Sequence, residues 1–231
     1  MKNTVVVLAS GKGVRFGGTI EKQFYKLGEK GSVLEYTLDN LKKTKLFDEY
    51  ILVVQPKHFM KVEEILKGMR IKNYIITTGG STRNESFING IREATGDKIV
   101  VHDAVRPLTP KSLFEGVLNG LEKYDVVTVA RPIAGNLIKL KSPDDSEVEE
   151  IVNRDYYLEG EAPTAYTRKA RDVIIEAYEK DHSIIYYPHD IQIAKKLGLS
   201  LGVFRTTELN PKITYLSDLE LIMSLLNIKK K

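Results

Sequence analysis

Thr4-Val5-Val6-Val7-Leu8-Ala9, running into Ser10-Gly11-Lys12-Gly13-Val14-Arg15-Phe16-Gly17-Gly18, decides the class of fold. An apolar, β-branched run with no polar alternation reads as a strand buried on both faces, and the glycines after it as the loop at its carboxyl end. Comparable runs recur at residues 50–54, 74–77, 98–102 and 125–130, with helix patterns between them. After Ser32, the spacing of Leu34, Leu38 and Leu41 puts them on one face of a helix, and Ser32 with Glu35 forms a capping box. Thr82 with Glu85 and Ser217 with Glu220 repeat that signature ahead of Phe87–Ile91 and Leu221–Leu225. Buried strands alternating with helices predict a doubly wound α/β domain, with a mostly parallel sheet covered on both sides.

The rhythm breaks at residues 133–153, where Gly135, Pro143 and the acidic run Asp144-Asp145-Ser146-Glu147 sit between short alternating segments. This stretch reads as a β-arm projecting from the sheet, and a long insertion of this kind is often functional. Helices are expected again at 168–179, 188–197 and 216–226, and a strand at 201–205. No repeat and no Pro/Gly/Ser-rich linker divides the 231 residues, so residues 1–231 are expected to form one domain.

Composition narrows the function. The chain is 42% hydrophobic and 29% charged, with no window near the roughly 20 apolar residues of a membrane span, which predicts a folded protein outside the membrane. Lysine and arginine exceed the acids by 35 to 31, but the signs are interspersed, unlike the basic stripe of a nucleic-acid binder. The absence of cysteine removes thiolate metal sites and cysteine nucleophiles. The apolar run near Met1 is too short for a signal peptide, so a cytoplasmic location is expected.

The first glycine loop is neither of the common phosphate loops. A P-loop needs Lys-Ser/Thr after its last glycine; a dinucleotide fingerprint needs glycine at Phe16 and an acid where Gln55 stands. What remains is a loop that adds Lys12, Arg15 and Lys22 to its backbone amides, a composition suited to a polyphosphate undergoing reaction. Gly79-Gly80-Ser81-Thr82-Arg83-Asn84-Glu85-Ser86 and His102-Asp103-Ala104-Val105-Arg106-Pro107 follow later strands. Ligands of open α/β sheets bind outside the carboxyl ends of strands, so the three loops are expected to share one crevice. Asp103 there can hold Mg²⁺, which takes one or two carboxylates together with substrate phosphates, or it can cap the following helix. His102 and His189 lack clustered companions and read as structural.

The ordered set LASGKGVRFGGTIEKQF, GGSTRNES, HDAVRP and NPKIT resembles the cytidylyltransferases that couple CTP to a sugar-alcohol phosphate, over nearly the whole chain. That family includes the methylerythritol-phosphate and ribitol-phosphate enzymes. The resemblance implies Mg²⁺-assisted attack of the acceptor's phosphate oxygen on the α-phosphorus of CTP, with loss of pyrophosphate. It implies that Arg15, Lys22 and Lys212 stabilise the reacting phosphates. Ala9, Ser10, Gly11, Gly13, Gly80, Ser81 and Ser86 would hold the nucleotide, Asp103 the metal, and Arg106 and Arg154 the acceptor. It further implies a homodimer in which the arm completes the neighbour's site.

The departures from the family pattern are Glu21-Lys22-Gln23 for PKQ, Ser81 for the acid of GGD, Asn136-Leu137 for Asp-Thr, Ala162-Pro163-Thr164 for TPQ, and His189-Asp190 for Thr-Asp. Most fall on the acceptor side. Together with Asn84, Val105, Asn153-Arg154 and Gly160 they favour a ribitol-5-phosphate-type acceptor over 2-C-methyl-D-erythritol 4-phosphate. Two other classes stay open from the residues alone: a non-catalytic nucleotide-binding regulatory protein, and a UTP-dependent sugar-1-phosphate nucleotidyltransferase.

Overall fold

The computed structural model describes residues 1–11, 13, 16, 20–28 and 31–227. Its first half alternates as the sequence predicts. β1 (Asn3–Leu8), β2 (Glu49–Val54), β3 (Tyr74–Thr78) and β4 (Lys98–Asp103) run parallel, linked by α1 (Val33–Thr44), α2 (Phe59–Gly68) and α3 (Arg83–Glu93). The chain continues through α4 (Lys111–Gly120), β5 (Val126–Pro132), a hairpin of β6 (Leu137–Leu140) and β7 (Val148–Val152), and β8 (Leu158–Thr167). It ends with α5 (Arg168–Lys180), α6 (Asp190–Lys196), β9 (Leu201–Arg205) and α7 (Leu216–Leu225).

The seven-stranded sheet has the order β3-β2-β1-β4-β8-β5-β9. Strand order therefore reverses beside β1: β2 lies on one side of it and β4 on the other, which opens a crevice above their carboxyl ends. Val5 and Val7 point into a core with Leu34, Leu38, Leu66 and Phe114, from α1, α2 and α4. The intervening Val6 points the other way, to Phe87, Ile91, Ile174 and Ile193, from α3, α5 and α6. This period-two division of an unbroken apolar strand between two helical layers is why the run at 4–9 shows no alternation.

A third, smaller cluster closes the top of the sheet. Leu219 and Ile222 of α7 pack with Phe16, Leu27, Val33, Val105 and Ile213, so the C-terminal helix fastens the loops that carry the site. The helix begins at Leu216 as expected, but the sequence misplaced its cap. Ser217 and Glu220 do not cap it; Asp218 does, accepting from the amides of Thr214 and Tyr215 at 2.7 and 2.8 Å. The Ser32–Glu35 box forms as expected.

The strand β8 is the main element absent from the sequence reading. It pairs antiparallel with both β4 and β5, so it occupies the middle of the sheet. Gly160, Pro163 and the acids Glu159 and Glu161 disguise it. The register against β5 jumps between Thr128 and Val129, and the jump lets Ala162 and Pro163 bulge out of the ladder, where the missing N–H of proline costs nothing.

At the opposite, amino-terminal edge, Glu49 is only 3% exposed. Its carboxylate accepts from Thr4 Oγ1 (2.5 Å), the Thr95 amide (2.9 Å) and Thr95 Oγ1 (2.8 Å), and pairs with Lys2 Nζ at 3.0 Å. Burial pushes its pKa up, but these donors outweigh burial and bring it down to about 2.

Candidate functional site

The crevice at the strand reversal is a cleft of about 480 Å³. Three loops, those after β1, β3 and β4, supply most of its lining, Gln55 after β2 adds one residue, and a fourth segment comes from the approach to α7. From the first loop come Ala9, Ser10, Gly11, Gly13 and Lys22; from the second, Gly80, Ser81, Arg83 and Ser86; from the third, Asp103; and from the fourth, Lys212. All the predicted nucleotide positions thus meet in one place, together with Lys22, Lys212 and Asp103. Arg15 and Lys12 lie outside the described residues. Arg106 and Arg154 are not among the lining residues.

The floor is built from close backbone and hydroxyl contacts. Ser10 Oγ and Ser86 Oγ are 3.0 Å apart, and Ser86 Oγ also accepts from the Gly80 amide at 3.0 Å. Gln55 donates to the Ser10 carbonyl at 3.2 Å and Gln23 to the Ala9 carbonyl at 2.9 Å. A methyl group at Gly79 would stand 2.1 Å from Ser10 Cβ, so glycine is required for the first and second loops to touch. In place of the acid expected at Ser81, Glu85 folds back and accepts from the Ser81 amide and hydroxyl at 2.5 and 2.6 Å.

Charge is concentrated around Asp103, which is 7% exposed. Lys212 Nζ lies 2.8 Å from its Oδ2, Arg106 Nε 3.6 Å from the same oxygen, and Arg83 3.7 Å from Oδ1. Burial raises the Asp103 pKa, but Lys212, Arg83 and Arg106 overcome it and hold the carboxyl well below the usual carboxylate range. Lys22 Nζ donates to the Ile213 carbonyl at 3.0 Å, and the Ile213 amide donates to Val105 O at 3.0 Å, which ties the Lys212 segment to the loop after β4.

Among the described residues, Asp103 is the only carboxylate that lines the cleft, and no group of three or more His, Asp or Glu able to hold a metal exists. A donor set of one carboxylate does not make a resident metal centre. It does fit Mg²⁺ brought in on a polyphosphate, whose oxygens and waters supply the remaining ligands.

Arg106 is turned inward beneath the cleft. It is 8% exposed, donates to the Asn210 carbonyl, and lies 3.7 Å from Glu161 Oε2. Glu161 also meets Arg131 at 3.4 Å and accepts from Asn210 Nδ2 at 3.1 Å. Arg154 follows β7, where it is exposed and donates to the Ala134 carbonyl at the base of the arm. Sequence reasoning overlooked Arg83 as a site cation. It bridges Asp103 and Asp190, the latter at 3.2 Å, and Asp190 in turn accepts from Tyr166 at 2.9 Å. Its place in the first turn of α3, directly after the Gly-Gly-Ser-Thr loop, was the available signal.

The comparisons with known proteins agree with this geometry. Residues 3–227 match the family described as IspD, 2-C-methyl-D-erythritol 4-phosphate cytidylyltransferase. The chain is 30% identical over 228 residues to the 2-C-methyl-D-erythritol 4-phosphate cytidylyltransferase of Aquifex aeolicus, covering 98% of this chain and 99% of that one. It is 32% identical over 181 residues to the bifunctional ribulose 5-phosphate reductase/CDP-ribitol pyrophosphorylase Bcs1 of Haemophilus influenzae, covering 74% of this chain and 38% of that protein. Among solved structures, the 4-diphosphocytidyl-2C-methyl-D-erythritol synthase of Anaerococcus prevotii superposes with a TM-score of 0.81 at 26% identity, covering 98% of both chains. The family match spans nearly the whole chain and agrees with a cleft lined by cations at the strand reversal: the chain belongs to the IspD family and is a cytidylyltransferase.

Proposed function

We propose that the protein transfers CMP from CTP to a sugar-alcohol phosphate, giving a CDP-alditol and pyrophosphate. A phosphate oxygen of the acceptor attacks the α-phosphorus, a new P–O bond forms, and the bond from that phosphorus to the bridging oxygen of the pyrophosphate breaks. Negative charge grows on the α-phosphoryl oxygens and on the leaving group. The observation that carries the reading is the convergence of Lys22, Arg83 and Lys212 on one cleft with Asp103. Lys22 and Lys212 stabilise that charge, a role the resemblance also gives to Arg15, which lies outside the described residues. Donors already in place when charge develops need no reorganisation, so they act on the transition state.

The glycine-rich floor, with Ser10, Ser81 and Ser86, holds the nucleoside. Mg²⁺ would supply charge neutralisation on the triphosphate, and Asp103 is the side chain that would hold it. Asp103 also pairs with both Lys212 and Arg83, and its negative charge offsets the repulsion between them.

The acceptor we favour is a ribitol-5-phosphate-type alditol phosphate. Ala162 and Leu137 stand where hydroxyl-bearing residues are expected, and a pocket that discriminates by hydrogen bonds changes its substrate when they are removed. The second reading, 2-C-methyl-D-erythritol 4-phosphate, is favoured by end-to-end matches to enzymes of that name. Arg106 and Arg154 are assigned to the acceptor, Arg154 across a homodimer. The arm exposes Ile138, Leu140, Val148 and Ile151, and the paired residues Ile138 and Ile151 leave an isolated two-stranded ribbon without a core of its own. No helix among the described residues is long and apolar enough to cross a membrane.

Pyrophosphate release from CTP and Mg²⁺, measured across a panel of alditol phosphates, tests this. Release with ribitol 5-phosphate faster than with 2-C-methyl-D-erythritol 4-phosphate is expected; the reverse order selects the second reading. CTP binding without release on any acceptor means a regulatory nucleotide binder, and faster turnover with UTP overturns the assignment of the nucleotide.

A further inference from the structure

Lys22 reaches the cleft from a single turn of 3-10 helix, Lys22–Phe24, and the residues on either side of it are anchored by their side chains. Glu21 Oε1 pairs with Lys57 Nζ at 2.5 Å, while Oε2 lies 3.1 Å from His58 Nε2 and accepts from Gln23 Nε2 at 2.8 Å. Gln23, 1% exposed, also donates to the Ala9 carbonyl on the cleft floor. Phe24 completes the attachment: its ring stands 4.5 Å from that of His58, with Lys61 Nζ 4.3 Å from its centroid.

Lys57 and His58 belong to the turn after β2, so the carboxylate of Glu21 joins the loop after β1 to the loop after β2. Its pKa is lowered, because Lys57 and His58 outweigh the opposing effect of burial. Glu21 has φ −62°, the angle that a proline ring imposes. A backbone setting that proline would fix covalently is here held by ion pairs.

We propose that Glu21 is a positioning residue for Lys22. Clamped by Lys57 and His58, it fixes the turn from which the Lys22 ammonium reaches the reacting phosphates, and through Gln23 it sets the Ala9 carbonyl relative to that ammonium. This rests on the assignment of Lys22 to the transferred phosphate. An ion pair that only added stability would leave the chemistry of Lys22 unchanged. A clamp transmits its loss to that lysine.

The test uses the full chain with Glu21→Ala, Glu21→Gln and Glu21→Pro. Two readouts are taken on samples that remain folded by circular dichroism. In the first, Lys22 acylation by an amine-reactive ester is followed by peptide mass spectrometry, with exposed Lys180 as internal reference. Release of the turn is expected to speed Lys22 acylation several-fold in Glu21→Ala and Glu21→Gln. In the second, kcat for pyrophosphate release is expected to fall about tenfold in both, the coupling usual within one hydrogen-bonded network. KM for CTP is expected to stay within about twofold, the pattern of an interaction used in the transition state. Glu21→Pro is expected to recover most of the loss, since the ring restores the same φ. Unchanged Lys22 acylation, unchanged kcat, or a Glu21→Pro variant as impaired as Glu21→Ala each overturns the clamp. Failure of the unmodified protein to release pyrophosphate overturns the CMP-transfer reading instead, and the acylation rates then still decide whether Glu21 positions Lys22.

Discussion

Replacing Glu49 by Gln removes one charge from the end of the sheet farthest from the cleft and keeps the shape of the side chain. In the folded protein the carboxylate is 3% exposed and takes hydrogen bonds from Thr4 and Thr95 and an ion pair from Lys2. Its pKa of about 2, against an ordinary value of 4.5, means that folding favours the ionised form. That difference corresponds to about 3 kcal/mol of stability near neutral pH. The sign follows from proton binding. Below pH 4.5 the unfolded chain takes up a proton that the folded chain still refuses, so the contribution is complete above 4.5 and disappears as pH falls toward 2. At pH 3.5 about 2 kcal/mol should remain. Glutamine cannot titrate, so the gap between wild type and variant should follow this curve. Urea unfolding at pH 6.5 and 3.5 measures it directly. A gap below about 1 kcal/mol at pH 6.5, less than an ordinary hydrogen bond to a charged group contributes, refutes the reasoning; so does a gap that stays constant with pH. Turnover of the folded variant at pH 7 should match wild type, because Glu49 touches none of the loops of the cleft.

Lys22→Ala and Lys212→Ala should each lower kcat more than about tenfold, over ~1.4 kcal/mol of transition-state stabilisation, Lys22→Ala with an unfolding midpoint close to wild type and Lys212→Ala with a lowered one, because it takes the nearest cation from buried Asp103; turnover within twofold or so would remove that lysine from the chemistry. Gly79→Ala drives a methyl group to within 2.1 Å of Ser10 Cβ, and calorimetry should find CTP binding weakened by more than about tenfold, as expected when packed backbone must shift; binding as tight as wild type would mean that the two loops yield easily. Ile138→Asp combined with Ile151→Asp should convert the proposed homodimer to a monomer in sedimentation velocity, because both side chains are exposed and face each other across the arm; a wild-type protein that sediments as a monomer refutes the dimer, and a dimer unchanged by the substitutions places the partner surface elsewhere.

The parallel half of the fold was legible because each of its strands is a short apolar run closed by a glycine-rich or acidic loop, and the helices between them carry their caps in the sequence. The cleft was legible for the same reason: its residues sit at strand ends, where topology leaves little choice. β8 was not, since burial of Thr164, Ala165 and Tyr166 is decided by neighbours on either side, while Gly160 and Pro163 advertise a loop. Arg106 shows the limit of reasoning by resemblance. The resemblance gives it to the acceptor, but its inward turn toward Glu161 and Asn210 depends on β8, which local sequence does not reveal. Arg83 sits within a loop motif, and only the approach of α6 discloses that it balances Asp103 against Asp190.

The central position of β8 has a consequence for synthesis. A ribosome delivers β1 to β4 and their helices long before β8, so the nascent chain holds β4 with one side of its backbone unpaired. Ile99, Val100 and Val101, all buried in the finished protein, then form a bare edge of the kind that invites pairing with other chains. The arm is emitted next, and only when residues 158–167 emerge can the sheet close. A truncation just after the arm would therefore keep most of the residues of the cleft and still present an adhesive edge, so solubility on expression should turn on whether a fragment includes β8, more than on its length.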